Sequence, residues 1–314
     1  MGYEPRQQTL PCPEQGLGIE WEETACLLCG GRRCTPFLEA PDNDPESGGL
    51  WFLISQCQDC GLCFTNPRPS PHSIEEFYHQ GYDPHRTDLL DPTAALGRPW
   101  RSGGGRLQMS LHGQGRLLDF GCGNGTFLAR MHAQGWKVTG LDLSQPSVDH
   151  IRSALGLHAL VGTLPHAALE EEGFDLITMW QALEHVHQPL EVLREARRLL
   201  APDGQLMVSV PNLDSLAFQW FGACWRGLDL PRHLVHFTPQ TLRLMLHRAG
   251  LRPGPVRMVR RGGWLRASAR IAAQHQQHTA WTSWLGRRPS SSLASWLGYL
   301  TGRADCMSVT AWKR

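Results

Sequence analysis

Three groups of residues in this chain have the types and spacing that chemistry needs. The first is Asp119-Phe-Gly121-Cys-Gly123-Asn-Gly125, with Asp142 following. Glycines let a backbone turn adopt positive φ and let a ligand approach with no Cβ in the way. An acid about twenty residues after such a turn can accept hydrogen bonds from a ribose diol. The pattern is G-x-G-x-G and not the G-x-G-x-x-G of a dinucleotide turn. Asp119 would also face a pyrophosphate charge to charge; it suits a ligand carrying a cationic amino group and a sulfonium. The second group is Cys26-Leu-Leu-Cys29 with Cys57-Gln-Asp-Cys60. Two C-x-x-C knuckles predict a tetrahedral structural zinc site, each knuckle giving two thiolates from one tight turn. A redox pair of the thioredoxin type needs one such motif on a βαβ unit, not two on opposed turns. Cys34 and Cys63 lie nearby as spare thiols that either pack or replace a ligand. The third group is histidine: His185 and His187 in one segment, His233 and His236 in PRHLVHFT. Histidine is suited to take a proton at neutral pH.

These residues need elements to hold them. Leu117–Leu118 opens a strand, and Phe127, Leu128, Met131 and Trp136 recur at helical spacing after the glycines. Val138 to Leu141 is a second strand ending on Asp142. Ser144 caps the next helix, with Pro146 in its first turn. Leu160–Thr163 reads as a short third strand. FDLITM, residues 174–179, is apolar throughout, as a central parallel strand should be. It runs into WQALEHV, residues 180–186, where doubly wound folds bind ligands. A helix from Pro189 and a strand over 205–210 follow. Thr238, Pro239 and Gly250 bound a further helix. Residues 256–261 and 306–312 are the last two strands. The segment 263–304 between them, rich in Trp, Arg and Ser, fits a substrate lid, a dimer contact or an interfacial helix on anionic lipid. Phe218, Trp220, Phe221 and Trp225 either wall a pocket or pack a helix on the core. In the first third, 41–49 is an acidic turn, WFLIS a strand, and 98–106 a hinge.

At 314 residues with 41% hydrophobic content, the chain can bury a sizeable core in one large or two modest domains. No run of eighteen apolar residues marks a transmembrane helix. The first fifteen residues have no apolar signal region, so a cytoplasmic location is expected, where disulfides are disfavoured. The net charge of +1 hides an asymmetry. Residues 1–85 carry four arginines and thirteen acids, whereas 251–314 carry eleven basic residues and one acid. A nucleic-acid enzyme gripping with the basic end is one function class. The acidic cysteine-bearing end and the missing Asn/Asp-Pro-Pro-Tyr base pocket oppose it.

Residues 117–144 resemble the cofactor-binding motif of class I S-adenosylmethionine-dependent methyltransferases. GLCFTNPRPS followed by FYHQGYD is similar to the zinc-ribbon lead-in of some bacterial small-molecule methyltransferases, sugar C-methyltransferases among them. LEHV resembles the ubiquinone-pathway O-methyltransferases, which have an acid where Gln181 stands. The resemblance implies an α/β fold, a Rossmann-like seven-stranded class I methyltransferase sheet with a small N-terminal zinc-ribbon domain. Residues 1–20 would be flexible, 21–85 the ribbon and a helical lead-in, and 86–314 the methyltransferase domain with an insertion near 263–304. S-adenosylmethionine would lie on Asp119, Gly121, Gly123, Gly125, Asp142 and Leu143, with Gly162 and Thr163 against the adenine and Gln181 facing it. Zn2+ would sit on Cys26, Cys29, Cys57 and Cys60. Sugar C-methyltransferases carry a base histidine that matches His233, with a tyrosine where Leu230 stands here. His233 is therefore the expected base, with Glu184 and His185 shaping the pocket. The implied function is in-line methyl transfer to a small-molecule acceptor, such as a sugar or another biosynthetic intermediate. A nucleic-acid methyltransferase and a non-catalytic cofactor-binding module are the alternatives; salt-dependent nucleic-acid binding would mark the former, cofactor binding without turnover the latter.

Overall fold

In the computed structural model, residues 18–42, 50–78, 115–275 and 279–314 are described. The first two of these segments form the cysteine-bearing module. Its strands are β1 (Trp21–Glu22), β2 (Cys34–Pro41), β3 (Trp51–Cys57), β4 (Cys63–Thr65) and β5 (Arg68–Pro69). β2 and β3 pair antiparallel, as do β3 and β4; the second knuckle stands at the end of β3 and the first lies in the loop before β2. Of the expected helical lead-in, the single turn Ile74–Phe77 is helical among the described residues. The expected hinge at 98–106 lies outside them.

The catalytic core alternates strand and helix, the pattern that makes a parallel sheet. Its first elements are β6 (Arg116–Phe120), α1 (Thr126–Ala133), β7 (Lys137–Asp142), α2 (Gln145–Ala154) and β8 (His158–Val161). Then come β9 (Phe174–Trp180), α3 (Pro189–Leu199), β10 (Leu200–Pro211) and α4 (Leu216–Phe221). A two-residue strand β11 (Val235–His236) and α5 (Pro239–Arg248) follow, the helix capped by Thr238, whose side chain accepts from Thr241 N–H. The chain finishes with β12 (Leu251–Pro253), β13 (Arg257–Val259), α6 (Gly262–Gln274), α7 (Ala280–Leu285), α8 (Arg288–Leu300) and β14 (Cys306–Lys313).

The main sheet runs β12-β14-β10-β9-β6-β7-β8. β10, β9, β6, β7 and β8 are mutually parallel, and β14 inserts antiparallel beside β10. The order reverses between β6 and β9, so ligands are expected at the carboxyl ends of those strands. One expectation needs correcting. The strand placed at 256–261 is the shorter β13, Arg257–Val259, and a separate β12 precedes it at Leu251–Pro253; both are antiparallel to β14. Gly254-Pro255 lies between them, and proline has no N–H to give a ladder. The seven-position sheet is therefore kept, with its sixth strand divided. The cysteine module is also less separate than its composition suggests. β11, from far along the chain, pairs antiparallel with β4, setting Val235 against Phe64 and His236 against Cys63.

Candidate active site

At the carboxyl end of β6 the chain turns through Gly121, Gly123 and Gly125 with φ of 72°, 51° and 77°. Space as well as φ requires glycine here. A Cβ on Gly121 would come within 2.7 Å of Ala182 Cβ, and one on Gly125 within 2.7 Å of Ile151. Asp142, at the end of β7, braces this turn. Its Oδ2 accepts from Gly123 N–H at 2.8 Å and its Oδ1 from Ser144 N–H at 2.9 Å. The loop after β8 is tied in as well, since Gly162 N–H donates to the Asp142 carbonyl at 2.9 Å. Leu143 is 71% exposed, an apolar side chain left in solvent directly after the acid. Such a side chain suits a flat ring laid against it. Thr163 is exposed and follows on the same loop.

Asp119 lies beneath the turn, 2% exposed, with Oδ1 accepting from Thr178 Oγ at 2.6 Å. Burial pushes its pKa up to about 7; the Thr178 bond lowers it and the Asp142 charge raises it further. Gln181 turns toward the sheet: its Nε2 donates to Ser209 O at 3.0 Å and its Oε1 accepts from Cys306 Sγ at 3.8 Å.

The segment after β9 abuts the glycine turn through Ala182 and then brings Glu184 and His185 to His233. One ligand atom from each of these three residues lies within 4.8 Å of the others, close enough to pass a proton or to share a cation. The rings of His185 and His233 meet edge to face at 4.6 Å. Leu234 N–H donates to Glu184 O at 2.8 Å, which locks the two segments together. Glu184 is fully buried, and neither carboxylate oxygen finds a hydrogen-bond partner among the described residues. Burial pushes its pKa up to about 8. His233 Nδ1–H donates to Gly227 O at 2.9 Å, which fixes the tautomer with its lone pair on Nε2. Nε2 lies 3.8 Å from Asp229 Oδ2. Burial, with His185 beside it, holds the His233 pKa well below the ordinary histidine value.

The other two candidate histidines serve as pegs. His187 Nε2–H donates to Pro69 O at 3.0 Å, and His236 Nε2–H to Thr65 Oγ at 3.1 Å. Sequence reasoning missed Asp229 and the arginines that hold it. Burial alone would raise its pKa, but Arg226 and Arg232 keep it well below the carboxylate range. Arg232 also reaches Asp42 Oδ1 at 3.4 Å and the Phe77 carbonyl at 3.1 Å. Only the L-D-L-P-R-H string, with charges three apart, signals this network in the sequence. Of the expected aromatic wall, Phe221 and Trp225 are buried in the core, while Phe218 stacks on Phe37 and Trp220 meets Trp281.

Cys26, Cys29, Cys57 and Cys60 converge, with all four sulfurs within 4.8 Å of one another. Cys26 and Cys60 stand 3.4 Å apart, Cys29 and Cys57 3.5 Å. Tetrahedral Zn–S bonds of about 2.3 Å need edges of about 3.8 Å, so the cluster fits a four-thiolate ion with little adjustment. Cys34 and Cys63 are not part of it.

Comparisons with known proteins identify the family. The family described as "Methyltransferase domain" matches residues 88–253, more than half of the chain. The ubiquinone biosynthesis O-methyltransferase of Xanthomonas campestris pv. campestris (strain B100) is 31% identical over 193 residues, covering 54% of this chain and 77% of that protein. Its namesake from Haemophilus ducreyi is 36% identical over 107 residues, 31% of this chain and 45% of that one. An S-adenosylmethionine-dependent methyltransferase structure from Mesorhizobium loti overlays with a TM-score of 0.45 at 22% identity, covering 72% of this chain and 99% of that chain. The chain thus belongs to the methyltransferase-domain family and is an S-adenosylmethionine-dependent methyltransferase.

Proposed function

We propose that this enzyme methylates a hydroxyl on a small-molecule biosynthetic intermediate, with His233 as general base. The observation that carries this reading is the meeting of His233 with Glu184 and His185, on a segment that touches the glycine turn through Ala182. The relatives' name, O-methyltransferase of ubiquinone biosynthesis, favours oxygen as the acceptor atom. When bound, S-adenosylmethionine supplies a methyl already activated by its sulfonium, so the protein's task is alignment and proton removal. Asp142 takes the ribose diol as a charged acceptor at the end of β7. Leu143 and the Gly162–Thr163 loop flank the adenine, and Asp119 favours the cationic end of the ligand. His233 Nε2 would accept the acceptor's proton, leaving its oxygen to attack in line the methyl that S-adenosylmethionine would supply, with the thioether as leaving group. The imidazolium so formed faces Asp229, whose negative charge is secured by Arg226 and Arg232. Glu184, protonated at neutral pH, can donate a hydrogen bond without adding charge.

Label transfer from methyl-labelled cofactor to a panel of phenols and sugars tests the acceptor class. With the acceptor found, His233→Ala lowers turnover by roughly 10²–10⁴-fold, the usual worth of a positioned base. Cofactor affinity in that variant stays within a few-fold by calorimetry. Turnover equal to wild type would remove His233 from the chemistry.

Asp119 predicts a pH effect on binding. In the unliganded protein it holds its proton up to about pH 7. A cationic ligand favours the carboxylate, so binding releases that proton. Affinity for S-adenosylmethionine then rises about tenfold per pH unit up to pH 7 and flattens above. Titration calorimetry in buffers of different ionisation enthalpy counts the proton. In Asp119→Asn the slope should vanish; a slope that persists there belongs to another group.

A further inference from the structure

Of the ten large apolar side chains exposed among the described residues, seven lie between 281 and 300. Scattered exposed apolar residues need no explanation, but a cluster does. Helix α8 is amphipathic the wrong way round for a helix surrounded by water. Its buried stripe is Ser290, Ser291, Ala294, Ser295 and Gly298. Its exposed stripe is Leu293, Trp296, Leu297 and Leu300, at spacing i, i+3, i+4, i+7 on one face. The small inner residues have jobs. Arg260 donates to Ser295 Oγ at 3.0 Å, Arg266 to Ser291 Oγ at 3.1 Å, and a Cβ on Gly298 would sit 3.0 Å from the Arg303 carbonyl. Helix α7 extends the patch with Trp281 and Trp284, stacked at 5.0 Å and both exposed.

The charge around this face has one sign. From 257 to 304 the chain carries eight arginines, no lysine and no acid. Arg287, between the two helices, and Arg288, which opens α8, stand exposed, and the Arg260 guanidinium lies 3.8 Å from the centre of the Trp296 ring. We infer that α7 and α8 dock this enzyme on the surface of an anionic lipid bilayer, leucines in the acyl boundary and arginines on the headgroup phosphates. The composition matches the three layers such a surface offers. Leucine enters the apolar boundary, tryptophan prefers the interface, and arginine pairs with anionic headgroups. A second copy of the chain is a poorer occupant. A twofold contact would set Arg287 and Arg288 against their copies, with no acid on α7 or α8 to pair them. Nucleic acid would answer the arginines but give the leucine stripe no apolar partner.

Co-sedimentation of the full chain with vesicles tests this. The wild type should pellet with phosphatidylcholine–phosphatidylglycerol vesicles, remain largely in solution with phosphatidylcholine alone, and detach as salt rises. Leu293→Ser/Leu297→Ser/Leu300→Ser should weaken partition by roughly tenfold or more. Arg287→Gln/Arg288→Gln should weaken it too and flatten its salt dependence. These side chains are exposed and outside the cofactor cradle, so both variants keep wild-type cofactor affinity, which checks their folding. Wild type that stays in solution with anionic vesicles overturns the inference, as does a triple variant that binds them unchanged. A dimer seen by analytical ultracentrifugation that the leucine variant dissolves, without vesicle binding, would overturn it in favour of a second copy. Leucine-independent binding to DNA without vesicle binding would overturn it in favour of nucleic acid.

Discussion

Cys57→Ser, or chelation of the metal from the wild type, should abolish methyl transfer while the cofactor is still bound. The reason lies in what the cysteine module is tied to. Only two residues separate Cys60 from β4, and β4 is held between β3 and β11. From β4, Thr65 N–H donates to Leu234 O at 3.0 Å and Thr65 Oγ to His233 O at 2.9 Å. Three hydrogen bonds at one threonine, counting that accepted from His236, thus fix the chain at the proposed base and just after it. A structural zinc contributes about 10–16 kcal/mol to folding in the smallest metal-held domains. This module also has a core, with Phe52, Ile54, Leu62 and Phe64 buried, so a partial loosening is expected and not wholesale unfolding. The melting temperature falls, and His233 loses its aim. The glycine turn, Asp142 and Leu143 stand at the ends of β6 and β7, in a different sheet from β4. Elemental analysis should find one zinc per wild-type chain and none in the variant. Turnover falls below roughly 1% of wild type, since a base displaced by about 1 Å can lose 10²-fold on its own. Calorimetry with the demethylated product reads the cradle separately. A variant lacking metal but turning over normally would sink the linkage, and wild type without metal would sink the site.

Much of the cradle was legible because its residues are close in sequence. The glycine turn, the helix after it and the acid ending β7 span Asp119 to Asp142, and local spacing decides such elements. The cluster of four cysteines was legible for the same reason, since each pair makes its own knuckle. Thr238 and Pro239 announced α5 correctly, the cap being a local hydrogen bond. What the sequence hid depends on contacts between distant segments. Two residues, Val235 and His236, have no periodicity to read, yet as β11 they join the cysteine module to the catalytic core. The grouping of His233 with Glu184 and His185 is likewise a tertiary fact. Gln181, chosen for its place after β9, spends its amide on the β10 and β14 side. Helix α8 misleads periodicity in a different way: its apolar stripe is real, but it faces outward.

Asp142→Ala should raise the dissociation constant of S-adenosylmethionine by roughly 100-fold or more. Each hydrogen bond to an ionised group is worth about 1.5–3 kcal/mol, and the ribose offers two. The structure adds a second reason. The same carboxylate holds Gly123 N–H and Ser144 N–H, so its removal strips one acceptor from the turn and one from the start of α2. These donors are half-buried, so losing their acceptor costs less than the roughly 1–3 kcal/mol of a buried one, yet the variant should still melt at a lower temperature. Asp142→Asn, which keeps one acceptor oxygen, should fall between the two in both affinity and stability. The two acids of the cradle can then be told apart by charge. The ribose is the same in S-adenosylmethionine and in its demethylated product, so Asp142→Ala must weaken both alike. Asp119 is proposed to act on positive charge, and loss of the methyl removes the sulfonium. Asp119→Asn should therefore penalise S-adenosylmethionine more than the product, and narrow the gap between their affinities. Calorimetry of both ligands against both variants at pH 8, where the wild-type Asp119 is ionised, gives the four numbers needed. Equal losses in both variants would leave Asp119 a structural acid. A loss confined to the sulfonium form in Asp142→Ala, or none at all in a folded variant, would remove Asp142 from the ribose.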